Sequence, residues 1–278
     1  MTTTISCNKP IGGRLDAQSS AFKPRRSAAG IRQSLLNATR SFALLTAALA
    51  TLHAAPVVIL KLDDLTRNGA HGAQAVSPRW QRCADFIQKD HLKASFGIIG
   101  ESLEQDSPAY FKWIKDLHQR GIIEFWNHGY VNQADQFKGP SMEAQKAALE
   151  KTQRLAREKL GFPLRAFGVH WSATDDATAQ ALAAIPEIRI WFQGASAASG
   201  KTLLERTVDL EHPTFVPNPE HVRAGYEKYG SHPYLVLQGH PNKWDDARFD
   251  AFVKAVHYLE EKGCAFQRVS EYVDGGGK

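Results

Sequence analysis

From Pro56 onward the chain alternates between short apolar runs and longer amphipathic stretches. VVILKL at 57–62 is a continuous, largely β-branched run of the kind that forms a strand buried on both faces, and it ends in Asp63-Asp64. Pro78 opens PRWQRCADFIQKD, in which Trp80, Cys83, Phe86 and Ile87 recur at helical spacing. ASFGIIG at 94–100 predicts a second strand. Pro108 starts a helix, AYFKWIKDLHQR, that Gly121 stops. A third strand, IIEFWNH, covers 122–128. A long helix follows over 142–160, ended by Gly161 and Pro163, then a short strand at 165–169, a helix over 175–185 and a fifth strand, IRIWF, at 188–192. The segment 194–233 is rich in Gly, Ser and Pro and predicts loops, with a weak strand at 204–210. YLVLQ at 234–238, a helix over 246–262 and AFQRV at 265–269 complete the series.

Strands that alternate with helices of about a dozen residues are βαβ units, and βαβ units build a parallel sheet. About seven such strands suit a closed or nearly closed β/α barrel better than a small open sheet. Chemistry in such barrels sits at the carboxyl ends of the strands. The polar residues found there are Asp63 and Asp64 after the first strand, His128 after the third, His170 after the fourth, Gln193 after the fifth and His240 after the penultimate one.

Two acids and three histidines at one rim point to a divalent cation, for which imidazole and carboxylate are the usual ligands. Adjacent strand residues face opposite ways, but at a strand end both carboxylates can turn inward. One then ligates the ion while the other, Asp63, takes a proton from water. His128 is a ligand candidate. Asn132 lies four residues on, which in a helical turn would bring its carbonyl oxygen to the same side. His170, beside Trp171, is either a third ligand or a substrate contact. His240 arrives through Gly239, and its ordinary pKa near 6.5 suits a general acid that protonates a leaving group. Together these residues predict amide or ester hydrolysis without a covalent intermediate.

Charge changes the picture at one end only. The 278 residues carry a formal charge of +5, yet seven of the 34 Lys and Arg and one of the 29 Asp and Glu lie within 1–55, leaving 27 bases against 28 acids in the remainder. A near-neutral body lacks the basic footprint of a nucleic-acid binder. Residues 42–55, FALLTAALATLHAA, follow this basic stretch; an apolar run of about 11 to 14 residues is too short for a bilayer span, which needs about 20, and fits a signal peptide. Residues 1–55 are therefore expected to be an export segment and 56–278 the catalytic domain. The protein is then periplasmic or secreted, without stable membrane insertion after export. Three cysteines, Cys7, Cys83 and Cys264, form no C-x-x-C and no even-numbered framework. Cys83 and Cys264 read as buried free thiols.

Five blocks in order over 57–273 resemble the polysaccharide deacetylase family: LKLDDL (60–65), ASFGIIG (94–100), EFWNHGYVN (124–132), AFGVHWSATDDATAQAL (166–182), and LVLQGHP with the later GCAFQRVSEYV (263–273). The resemblance implies a distorted (β/α)7 barrel and a hydrolase that removes acetyl or other acyl groups from a carbohydrate or acylated amino sugar. It places Asp63 as base, Asp64 and His128 on the metal, zinc being the expected ion, and His240 as acid. Asn132 stands at the position of the family's second metal histidine. Gly168 stands where the family has an arginine that steadies the base, and His170 where it has a proline. The chain is similar to a divergent member, with His170 available to repair the metal site and Trp171, Tyr130 and Gln193 as expected substrate contacts.

Two rival readings share the scaffold. One is another C–N or glycosidic hydrolase, the latter needing a second, separated carboxylate such as Glu101 or Asp175. The other is a non-catalytic carbohydrate-binding relative, with Trp126, Trp171, Trp191 and Trp244 near predicted rims as sugar platforms.

Overall fold

A computed structural model describes residues 54–67, 74–194 and 196–276. The apolar run after Pro56 becomes strand β1 (Val57–Leu65), buried at every residue but Val57 and Asp64. β2 (Ala94–Ile98), β3 (Ile123–Asn127), β4 (Ala166–Gly168), β5 (Ile190–Phe192), β6 (Thr202–Leu204), β7 (Tyr234–Gly239) and β8 (Ala265–Phe266) follow. The strands pair in parallel in the order β6-β5-β4-β3-β2-β1-β7, while β8 pairs with the start of β1, before β2 joins it. The sheet curls into the expected distorted barrel. Between β6 and β7 the ladder is interrupted, and the chain leaving β6 touches β7 at one bridge, Val208 to Leu237.

The helices occupy the connections. α1 (Pro78–Lys89), α2 (Pro108–Gln119) and α5 (Pro219–Tyr229) each begin on a proline, whose fixed φ and missing N–H suit the first turn. α3 (Met142–Leu155) runs on into a π-helical turn, Ala156–Leu160, closed by Gly161 at φ +87°. α4 (Asp176–Ala183), α6 (Asp246–Glu261) and α7 (Val269–Asp274) complete the set. Three elements depart from the sequence reading. The weak strand expected at 204–210 forms instead as β6, at Thr202–Leu204. The segment 194–233 is not all loop, because α5 forms there with Asn218 capping His221 N–H. The last strand is two residues long, and Val269 begins α7 instead of ending the strand.

The period-2 alternation of β1 divides the core. Val58, Leu60 and Leu62 face outward and pack with Phe96, Ile98, Leu235 and Leu237 beneath the helices. Ile59 faces the interior with Trp126, Ile190, Phe192 and Val236. Lys61 and Asp63 continue that inner row. A third cluster, including Phe137, Leu149, Phe167, Leu182 and Trp191, seals α3 and α4 onto β4 and β5.

Cys83 and Cys264 are free and buried, as expected. Cys7 and residues 1–53 of the expected export segment lie outside the described residues. Among the described residues no helix is long and apolar enough to cross a membrane.

Candidate active site

Alternation along β1 should send Asp64 away from Asp63. It does not, because the strand bulges there. Leu62 pairs with Phe96 but Leu65 pairs with Ile98, so β1 carries one residue more than β2 across the interval. Asp64 takes up the excess in the left-handed region at φ +68°. The bulge re-aims its carboxylate into the site, and Asn242 Nδ2 fixes the turn by donating to Asp64 O at 2.7 Å.

His128 follows β3 directly and is 1% exposed. Its Nδ1 lies 2.6 Å from Gly168 O. A carbonyl only accepts, so Nδ1 carries the proton and Nε2 presents its lone pair. That Nε2 lies 3.2 Å from Asp64 Oδ1, and His170 Nδ1 lies 3.5 Å from the same oxygen. The three ligand atoms fall within 4.8 Å of one another. Tetrahedral zinc with N and O ligands at about 2.0–2.2 Å separates neighbouring ligand atoms by about 3.3 Å. A lone pair facing a carboxylate at that spacing is unfavourable without a cation between them, so the donor set fits a divalent ion. Burial, with His128 packed beside it, pulls the His170 pKa down to about 4, which leaves the imidazole neutral, the ligating form, at neutral pH. Burial opposes ionisation of Asp64, yet the two imidazoles beside it outweigh burial and hold the carboxyl well below the usual range. His170 Nε2 is buried without a hydrogen-bond partner among the described residues.

Asn132 sits differently from the expectation. Residues 128–132 form no helical turn, since the chain leaves through Gly129 at φ +78°. Asn132 is exposed and offers its amide nitrogen to Asp64 Oδ1 at 3.3 Å, not its carbonyl oxygen.

Asp63 is 2% exposed, on the inner face. Lys61 Nζ donates to both of its oxygens at 2.6 Å. His240 leaves β7 through Gly239, where a Cβ would come within 2.6 Å of the Trp244 ring. Its Nδ1 pairs with Glu211 Oε2 at 2.7 Å, which leaves Nε2 as the free ring nitrogen. Glu211 also accepts from His240 N, Trp244 Nε1 and Phe215 N at 2.8, 2.7 and 3.0 Å. Burial pulls the His240 pKa down, but the Glu211 hydrogen bond and the charges of Asp63, Glu211 and Asp64 prevail and raise it.

Sequence reasoning missed Lys61 and Glu211. Lys61 had a visible mark, a lone charge inside an apolar strand two residues before an acid and hence on the same face. Glu211 had none, lying in a Pro-rich stretch remote in sequence from His240.

The expected substrate contacts scatter. Trp171, 64% exposed, is the exposed large hydrophobic side chain among the described residues, held at φ +51° beside His170. Gln193, at φ +55°, donates to Gln238 Oε1 at 3.2 Å and accepts from Ser172 Oγ at 2.8 Å. The Tyr130 hydroxyl is engaged with Glu104 and Lys151 at 2.7 and 2.6 Å. Trp126, Trp191 and Trp244 are fully buried core, which removes three of the four sugar platforms considered above. Asp175 caps α4 and binds Gly139 N and Gln145 Nε2, a structural task that withdraws it as a glycosidase carboxylate.

No protein-family model matches the chain, and no curated protein matches its sequence. Solved structures do match. A family 4 acetyl xylan esterase from Clostridium thermocellum, in complex with a cobalt ion, aligns with 79% of this chain and 92% of its own at TM-score 0.58 and 15% identity. A peptidoglycan N-acetylglucosamine deacetylase aligns over 77% and 86% at TM-score 0.56 and 15% identity. A CE4-family pseudoenzyme from Bacillus anthracis aligns over 77% of this chain at TM-score 0.54 and 18% identity, and the match spans 64% of that protein's length. At these identities the likeness is one of fold, and the described part of this chain adopts the distorted parallel barrel of the family 4 carbohydrate esterases.

Proposed function

We propose that the chain is a divalent-metal-dependent hydrolase, zinc being the natural ion, that removes acetyl or similar acyl groups from a carbohydrate or acylated amino sugar. The observation that carries this reading is the bulge in β1. It brings one carboxylate to two histidines and leaves the other, Asp63, free of the ligand cluster yet 3.7 Å from His128 Nε2. When bound, the cation supplies polarisation of the acyl carbonyl and acidification of water. Asp64, His128 and His170 hold it. Asp63 accepts the proton from the attacking water. His240, kept protonated by Glu211, gives its Nε2 proton to the departing amine or alcohol. Trp171 offers an exposed ring face on which a sugar can stack. The basic stretch and the apolar run at 42–55 support action outside the cytoplasm.

The test is elemental analysis of the purified protein alongside acetate release from acetylated chitooligosaccharide and acetyl xylan. About one zinc per chain is expected in the parent, lost in both Asp64→Ala and His170→Ala together with acetate release. Metal lost only in Asp64→Ala removes His170 from the ligand set. A parent that binds no zinc, cobalt or nickel overturns the hydrolase reading in favour of a carbohydrate-binding protein.

A further inference from the structure

Lys61 occupies a place where a lysine is costly. It is 2% exposed, inside a strand whose other inward residues are Val57, Ile59 and Asp63. An ammonium group is removed from water only where the surroundings repay its hydration, and a paired carboxylate is the usual partner. Here the repayment is specific. Nζ contacts both oxygens of Asp63 at 2.6 Å, and Gln238 Oε1 lies 3.4 Å away. The ammonium also lies over the rings of Trp126 and Phe192, at 4.8 and 5.6 Å from their centroids.

The space for this side chain comes from Gly168. A Cβ at that position would lie 2.8 Å from the Trp126 ring and 3.1 Å from Lys61 Cε. This glycine is needed for room, because its φ is not in the left-handed region. On the far side, Gln238 is held by Gln193, and Gln193 by Ser172, which follows the exposed Trp171. The lysine is therefore wedged between fixed neighbours, with one hydrogen-bonded line leading toward the rim.

We infer that Lys61 is the positioning residue for Asp63, holding its carboxylate at a fixed height and rotation on the inner face of β1, and that Gly168 is the clearance this requires. The inference rests on the reading of Asp63 as the base. A carboxylate at a bulged strand end has rotational freedom, and two short bonds from one ammonium remove it. Misplacement of a reacting group by about 1 Å costs about 10²-fold in rate.

The experiment uses the purified full chain with Lys61→Met, which keeps the bulk and removes the charge, and Lys61→Arg, which keeps the charge. Expected for Lys61→Met is a fall in kcat of about 10²-fold, with KM and bound metal within about twofold of the parent; Lys61→Arg is expected to recover at least about tenfold of that loss. A Lys61→Met protein with kcat within about twofold of the parent overturns the inference, as does an equal kcat loss in both variants with metal retained. If Lys61→Met does not fold, Gly168→Ala takes its place, and an undiminished kcat there is the overturning result. A parent that binds metal yet releases no acetate defeats the base reading instead. Crystal structures then decide for Lys61: an Asp63 carboxylate displaced in Lys61→Met, with Asp64 and His128 unmoved, supports the positioning role, and an undisplaced one overturns it.

Discussion

The two sides of the site are built by different means. The base side is local. Lys61, Asp63 and Asp64 come from four consecutive residues of one strand, and regular alternation plus one bulge sets their directions. The acid side is assembled at long range. His240 takes its orientation from Glu211, 29 residues earlier, in a connection that pairs with the sheet at a single bridge. A strand fixes a side chain through its own ladder, whereas a loop fixes one only through side-chain bonds that must all form together. Both sides should thus lose chemistry and stability when altered, the base side through one buried ion pair and the acid side through several hydrogen bonds at once.

The largest effect tests the local side. Asp63→Asn is expected to lower kcat by about 10³-fold, within the range of general base catalysis, while the protein keeps its metal; leaving the buried Lys61 ammonium without its carboxylate is expected to cost about 3–5 kcal/mol of stability. Elemental analysis and thermal unfolding check both parts. Loss of metal in this variant would show that Asp63 and Asp64 do not divide their roles, and the contrast between the two sides would collapse.

Next comes the distant side. Glu211→Ala strands four donors, two of them the backbone N–H groups of His240 and Phe215, and is expected to destabilise the fold by about 3–5 kcal/mol, read from denaturant unfolding. Glu211→Gln keeps the shape and removes the charge. The folded pKa of His240 lies above the ordinary imidazole value of 6.5, so the acid is lost as pH rises through that folded value. Removing the Glu211 charge lowers it, and the alkaline limb of the kcat profile should move to lower pH. The linked stability follows the same sign: the pair's contribution is full below pH 6.5 and drains as pH rises through the folded value. An alkaline limb unmoved in Glu211→Gln would assign it to another group.

The smallest effect belongs to the rim. Asp64, Trp171, Ser172, Gln193 and Phe215, all near the site, adopt positive φ without being glycine. Such strain costs of order 1 kcal/mol per residue and gathers at functional sites. Trp171→Gly should raise stability by about 1 kcal/mol and raise KM several-fold with kcat little changed, if the ring face binds sugar. An unchanged KM would remove Trp171 from the substrate site.

The barrel was legible because its signal is redundant. Each strand is an apolar run, and most helices bury a periodic face. α5 escaped because it buries only Val222, leaving no periodicity, although Asn218-Pro219 is a cap followed by a first-turn proline. The convergence of Asp63, Asp64, His128, His170 and His240 was legible from position alone, as residues that follow strands. What brings Asp64 inward was not, because a bulge is a property of two strands in register and leaves no mark in one. Glu211 stayed hidden for the related reason that its partner is chosen by chain closure. Asn132 reaches Asp64 without the helical turn that its spacing implied, and turns its amide nitrogen toward it.

The clearance at Gly168 also constrains the history of the chain. The resemblance places an arginine at 168, where a Cβ would come within 2.8 Å of the Trp126 ring and 3.1 Å of Lys61 Cε, so a large residue at 168 crowds both neighbours. A large residue at 168 beside a lysine at 61 is expected to be deleterious. A lineage passing between these arrangements must cross an intermediate with an unsupported Asp63, or change both codons together. Relatives with lysine at 61 are therefore expected to carry glycine at 168, a covariation that sequencing can count without assaying a single enzyme.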